Sequence, residues 1–206
     1  MSQLKKIIVG ISGASGAVIG ERLVRSLLEL GNEVHAIISP SGLTVFAEEM
    51  GIRLGRTHGD IRKNFLKHYG NPKGLEVAPA DDFAAKISSG SSEIDAMVIA
   101  PCSMSTAGCI ANGVTMNLIH RAASVSLKER RTFVLVPRES PLSTIHLENL
   151  LKLSQVGAYI VPATTAFYHN PKNVNEMVDF TVGRVLDILK IKHKLFKRWR
   201  DSSSAE

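Results

Sequence analysis

Cysteine is scarce: only Cys102 and Cys109 occur in 206 residues, seven apart and without a C-x-x-C. That spacing gives no disulfide framework and fits a reducing compartment, so the cytoplasm is the expected location. The seven histidines (35, 58, 68, 120, 146, 169 and 193) form no H-x-x-x-H and no His/Cys group at ligand spacing, so no metal is expected. No apolar run reaches the length of a membrane span. At the N-terminus only Ile7, Ile8 and Val9 run apolar before glycine and serine interrupt, too short a stretch for a signal h-region. No membrane association is expected. Aromatic residues make up 5% of the chain, and none forms a stacking platform beside the basic run Lys190, Lys192, Lys194, Lys197, Arg198 and Arg200. That run, which carries much of the +6 net charge, reads as a solvated helix end, and no nucleic-acid partner is expected. Two catalytic signatures are also missing. No Walker lysine follows the glycines, which argues against an NTPase. The serines of "GISGASG" fall out of register with G-x-S-x-G, which argues against a serine hydrolase.

What is present is the patterning of an ordinary globular chain, 44% hydrophobic and 21% charged. The length predicts one domain over residues 1–200, with 201–206 as a frayed tail. "KKIIVG" (5–10) is a short buried strand. Residues 16–30 form a helix with Leu23, Val24, Leu27 and Leu28 on one face and Gly31 as its stop. "EVHAIIS" (33–39) is the next strand, ended by Pro40. Strands follow at 95–101, 131–137 and 158–162. Helices follow at 117–129, 142–157 and 173–191, and "CSMSTAGCIANG" is a polar turn entering a helix. Residues 52–94 hold turn signals and the tract "SSGSS" but no readable element. The alternation predicts a single doubly wound, Rossmann-like α/β domain with a mainly parallel sheet and helices on both faces.

In such a fold, ligands sit beyond the carboxyl ends of the strands. Those loops share one chemistry. The first offers Ser12, Ser15 and three glycines, the second Ser39 and Ser41, the fourth-strand loop Ser103, Ser105 and Thr106. Any one could be plain helix capping; three at the strand ends of one sheet favour a phosphorylated ligand. The glycines run G-x-x-G-x-x-G at 10, 13 and 16 rather than G-x-G-x-x-G, and no acidic residue ends the second strand to grip a ribose. A flat, phosphorylated, non-dinucleotide ligand fits, and FMN is one. In "VPRESP" (136–141), Arg138 suits a phosphate or flavin oxygen and Glu139 is a candidate proton carrier.

The motifs "GISGASGA" (10–17), "PCSMST" (101–106), "RAASVSLKERR" (121–131), "VPRESPLS" (136–143), "FYHNP" (167–171), "VGRVLD" (182–187) and the "RW" at 198–199 together resemble the UbiX-type flavin prenyltransferases, formerly called 3-polyprenyl-4-hydroxybenzoate carboxy-lyases. The resemblance implies transfer of a dimethylallyl group from dimethylallyl phosphate to N5 and then C6 of reduced FMN. No metal is involved, and the prenylated FMN serves a UbiD-type decarboxylase in routes such as ubiquinone biosynthesis. It implies that Gly13, Ala14 and Ser15 lie along the isoalloxazine, with Ser15 near N5. Ser39 and the segment Ser103, Met104, Ser105 and Thr106 hold the phosphate and ribityl chain, and Arg138 also touches FMN. Arg121, Lys128, Tyr168 and Arg184 surround the dimethylallyl phosphate. Glu139 moves the proton, and Tyr168 and Trp199 face the developing allyl cation. It also implies a homo-oligomer, a dodecamer in the family, with sites between subunits. Two rivals stand beside it. One is a flavin-dependent cysteine-type decarboxylase, whose P-x-M-N-x-x-M signature fails at Val114. The other is a non-catalytic flavin carrier, for which Glu139, Tyr168, Arg184 and Lys128 would be superfluous.

Overall fold

The computed structural model describes residues 4–198. Six strands form one sheet: β1 (Lys6–Ile11), β2 (Glu33–Ile38), β3 (Leu75–Ala78), β4 (Ala96–Cys102), β5 (Thr132–Pro137) and β6 (Tyr159–Ile160). All five pairings are parallel, in the order β3-β2-β1-β4-β5-β6. This is the doubly wound arrangement expected from the alternation of strands and helices. Parallel neighbours need helical crossovers, and those crossovers cover both faces.

The two faces bury separate cores because successive strand residues point to opposite sides. Ile7, Val9 and Ile11 of β1 join one core with residues of α1 (Ala17–Glu29), α2 (Pro40–Met50), α3 (His58–His68) and α7 (Val174–Ile188). Ile8 joins the other, with α4 (Met104–Ala111), α5 (Leu118–Lys128) and α6 (Thr144–Gln155). Which face a helix covers decides which catalytic side chains can meet within one chain.

Two stretches depart from the sequence reading. Pro40 does end β2, but it also starts α2: Ser39 is the N-cap and proline occupies the first turn, where its missing N–H costs nothing. Residues 52–94 contain α3, the edge strand β3 and a 3₁₀ turn at Lys86–Ser88. Only Phe65 of α3 is buried, so the helix carried too thin an apolar stripe to read. The tail at 201–206 lies outside the described residues.

Candidate active site

The strand order reverses between β1 and β4, which opens a crevice at their carboxyl ends. The glycine spacing that departs from the dinucleotide pattern has a separate cause at each position. Gly10 lies inside β1 against Ile119. Gly13 packs on the first turn of α2, where a Cβ would collide with Ser41. Gly16 caps α1 at φ 104°, a left-handed conformation that favours glycine. Ser12 is a correction to the sequence reading. Its hydroxyl is buried, donates to the Pro101 carbonyl at 2.9 Å and accepts from the Ser103 N–H at 2.8 Å. It stitches the two loops together instead of facing a ligand.

A glycine cap has no side chain to accept from the first N–H groups of α1. Glu49 supplies that acceptor from α2. Its carboxylate accepts from Gly16 N at 2.9 Å and Ala17 N at 2.8 Å. Burial opposes its ionisation, but the Ser15 hydroxyl, those two N–H groups and the charge of Arg138 outweigh it and hold Glu49 below the usual carboxylate range. The N-terminus that holds a pyrophosphate in dinucleotide-binding folds is therefore already filled.

Two other helix N-termini face the same end of the sheet. Ser39 caps α2 by accepting from Gly42 N at 3.0 Å. Ser103 caps α4 by accepting from Thr106 N at 3.2 Å, with the Ser105 and Thr106 hydroxyls about it at 3.1 and 3.0 Å. Met104 is buried in the second core, so only its backbone can face a ligand. Ala14 is buried and Ser15 exposed. This donor set, with small residues at 13 and 14, fits a flat mononucleotide. From β5, Arg138 reaches across β4: its N–H donates to Cys102 O and its Nε to Ser15 O, both at 3.3 Å. Glu139 follows, exposed, its carboxylate accepting from Ser140 N at 3.1 Å. Ser15, Glu49 and Arg138 thus gather at one crevice, and Glu139 follows Arg138 in the chain. Glu49 escaped the sequence reading, which had no helix at 40–50. Burial pushes the Cys102 thiol up to about 12, so it is no nucleophile. Among the described residues no group of His, Cys, Asp and Glu could hold a metal, and no helix is long and apolar enough to cross a membrane.

The four residues assigned to the prenyl phosphate do not meet within one chain. Arg121 and Lys128 lie on α5, on the second face. Arg121 Nε donates to Ser88 O at 3.2 Å, and Lys128 pairs with Glu129 beside Gly90. The unread "SSGSS" tract is therefore their neighbour, and Arg131 holds it through Gly90 O at 2.7 Å and Ser92 O at 2.6 Å. Tyr168 and Arg184 belong to the first face with α7. Tyr168 packs edge-on against Phe180, with ring centroids 6.0 Å apart, and Arg184 bonds Asp187. Within one chain the sheet separates the two pairs into two patches. Trp199 lies outside the described residues.

The model of the Flavoprotein family matches residues 1–198. A flavin prenyltransferase UbiX of Methanocaldococcus jannaschii is 47% identical over 194 residues, covering 94% of this chain and 98% of that protein. The crystal structure of AnUbiX (PadA1) in complex with FMN and dimethylallyl pyrophosphate superposes with a TM-score of 0.84 at 35% identity, covering 96% of this chain and 98% of that one. A dodecameric FMN-dependent UbiX-like decarboxylase from Escherichia coli O157:H7 gives 0.82 at 41% identity, covering 95% and 99%. With its fold and nearly its whole length matched, this chain belongs to the flavoprotein family, among the UbiX flavin prenyltransferases.

Proposed function

We propose that the protein transfers a dimethylallyl group from dimethylallyl phosphate to N5 and C6 of reduced FMN, with release of phosphate, and that a UbiD-type decarboxylase uses the product. The carrying observation is the Arg138–Ser15 bond. It ties the loop that carries Glu139 to the loop of the Ser15–Glu49 pair.

Reduced FMN supplies the nucleophilic nitrogen and carbon when bound. The capped N-termini at Ser39 and at Ser103–Thr106 hold its phosphate and ribityl chain through N–H groups and hydroxyls. Ser15 presents a hydroxyl backed by the ionised Glu49, a pair able to hold or relay a proton. Glu139, exposed beside Arg138, takes the proton released as the second bond forms. Arg121, Lys128 and Arg184 present fixed positive charge to the leaving phosphate, with the Tyr168 phenol as a further donor. Tyr168 and Trp199 offer ring faces to the allyl cation. The cationic patches lie on opposite faces of one sheet, so the phosphate site is completed between chains. The dodecameric relative supports such an assembly.

The test is to mix anaerobic reduced FMN, dimethylallyl phosphate and protein, then read the flavin mass. A gain of one dimethylallyl group is expected; an unchanged mass overturns the reading. Repeating it with dimethylallyl pyrophosphate identifies the preferred donor.

Ser39→Ala separates capping from ligand binding. Losing the cap lowers stability by about 0.5–2 kcal/mol. Losing a hydrogen bond to a charged phosphate, worth roughly 1.5–3 kcal/mol, weakens FMN binding about tenfold or more. We expect both a lower Tm and weaker FMN titration. A lower Tm with native FMN affinity would leave Ser39 as a cap alone.

A further inference from the structure

The Asp187 carboxylate gathers four donors. Oδ1 accepts from His193 Nε2 at 3.1 Å and Arg198 Nη2 at 2.6 Å; Oδ2 accepts from Arg184 Nη1 at 3.1 Å and Arg198 Nη1 at 3.3 Å. Arg184 lies one turn before Asp187 on α7. His193 and Arg198 belong to the segment 191–198, which has neither helix nor strand and folds back along α7. Gly183 makes that return possible, since a Cβ there would run into the Phe196 and His193 rings. Phe196 packs on Phe180 at 5.0 Å, and Phe180 also meets Tyr168 at 6.0 Å and stacks on His169 at 5.1 Å. One carboxylate and one phenyl ring therefore join the strap to Arg184 and to Tyr168.

We propose that Asp187 is a positioning residue for prenyl-phosphate binding, fixing the Arg184 guanidinium and clamping the 191–198 strap against α7. This rests on the function proposed above. An arginine at a helix surface has many rotamers, and holding it in one lowers the ordering cost of binding. Asp187 takes one edge of the guanidinium, and Nε and Nη2 of Arg184 have no partner among the described residues. The carboxylate does not cancel the patch, because two guanidiniums share its single negative charge. The side chain of His193, 2% exposed, closes the buried side.

The test titrates dimethylallyl phosphate calorimetrically into the oligomer loaded with oxidised FMN, which binds without transfer. Asp187→Asn should weaken prenyl-phosphate binding about tenfold, as expected for a lost charge-assisted bond, and leave FMN affinity unchanged. In a double-mutant cycle, R184A/D187N should bind no worse than R184A alone, because Asp187 acts through Arg184. A merely structural role would give additive losses or weaker FMN binding. Native prenyl-phosphate affinity in D187N, or additivity in the cycle, overturns the proposal. Should D187N not assemble, Asp187→Glu keeps the charge but displaces it by one methylene. Weakened binding there supports the proposal, and native affinity overturns it. A native protein that binds prenyl phosphate beside a silent D187N sinks this inference alone. A native protein that binds none and leaves flavin mass unchanged sinks the proposed function with it.

Discussion

Glu139→Gln is expected to bind FMN as the native chain does and to lose prenyl transfer by about 10²- to 10⁴-fold, the usual contribution of a group that transfers a proton. The substitution isolates that role. The Glu139 side chain accepts from the Ser140 N–H, and the amide oxygen of glutamine can accept the same bond, so the turn after β5 keeps its shape. Arg138 keeps its bond to Ser15 O. What disappears is a carboxylate able to take a proton. Rates read by flavin mass, beside an FMN titration, check this. Near-native turnover would remove Glu139 from the role and leave Glu49 as the carboxylate of the crevice.

The crevice was legible in the sequence wherever local rules place residues. Runs of β-branched residues ended by glycine or proline marked β1, β2, β4 and β5, and loops at their carboxyl ends carry the glycines, serines and Arg138. Residues 16–30 and 117–129 were read as helices that prove to be Ala17–Glu29 and Leu118–Lys128. The same rules left Glu49 invisible, because its meeting with Gly16 spans 33 residues and depends on α2. That helix was itself hidden by reading Pro40 only as a stop. Ser12 shows the opposite failure. Its type suits a ligand loop, but only the tertiary fold reveals that its hydroxyl is consumed at Pro101 and Ser103. The division of Arg121 and Lys128 from Arg184 had no local signal either. Amphipathic spacing shows that a helix buries a stripe, not which face of the sheet it covers.

That division yields the strongest test of a site shared between chains. Lys128 and Arg184 lie on helices packed against different cores on opposite faces of one sheet. If both cations hold one leaving phosphate, they must come from different protomers. Removing either takes preorganised positive charge from the transition state and should lower transfer by about 10²- to 10³-fold, with FMN affinity near native, since neither residue lies at the Ser15–Arg138 crevice. Lys128→Ala and Arg184→Ala should each be nearly inactive alone. Co-expressed in one cell, they assemble into mixed oligomers in which a site can draw its Lys128 from one chain and its Arg184 from another. Random assortment leaves about a quarter of such sites with both cations intact, so the mixture should recover about that share of native transfer. If one chain supplied both residues, every site would carry one lesion and co-expression would restore nothing. Flavin mass measured on purified mixed oligomers distinguishes the two outcomes. A mixture as inactive as its parents would show that one chain supplies both cations and would overturn the shared site; a single variant with near-native transfer would place its residue outside the phosphate site.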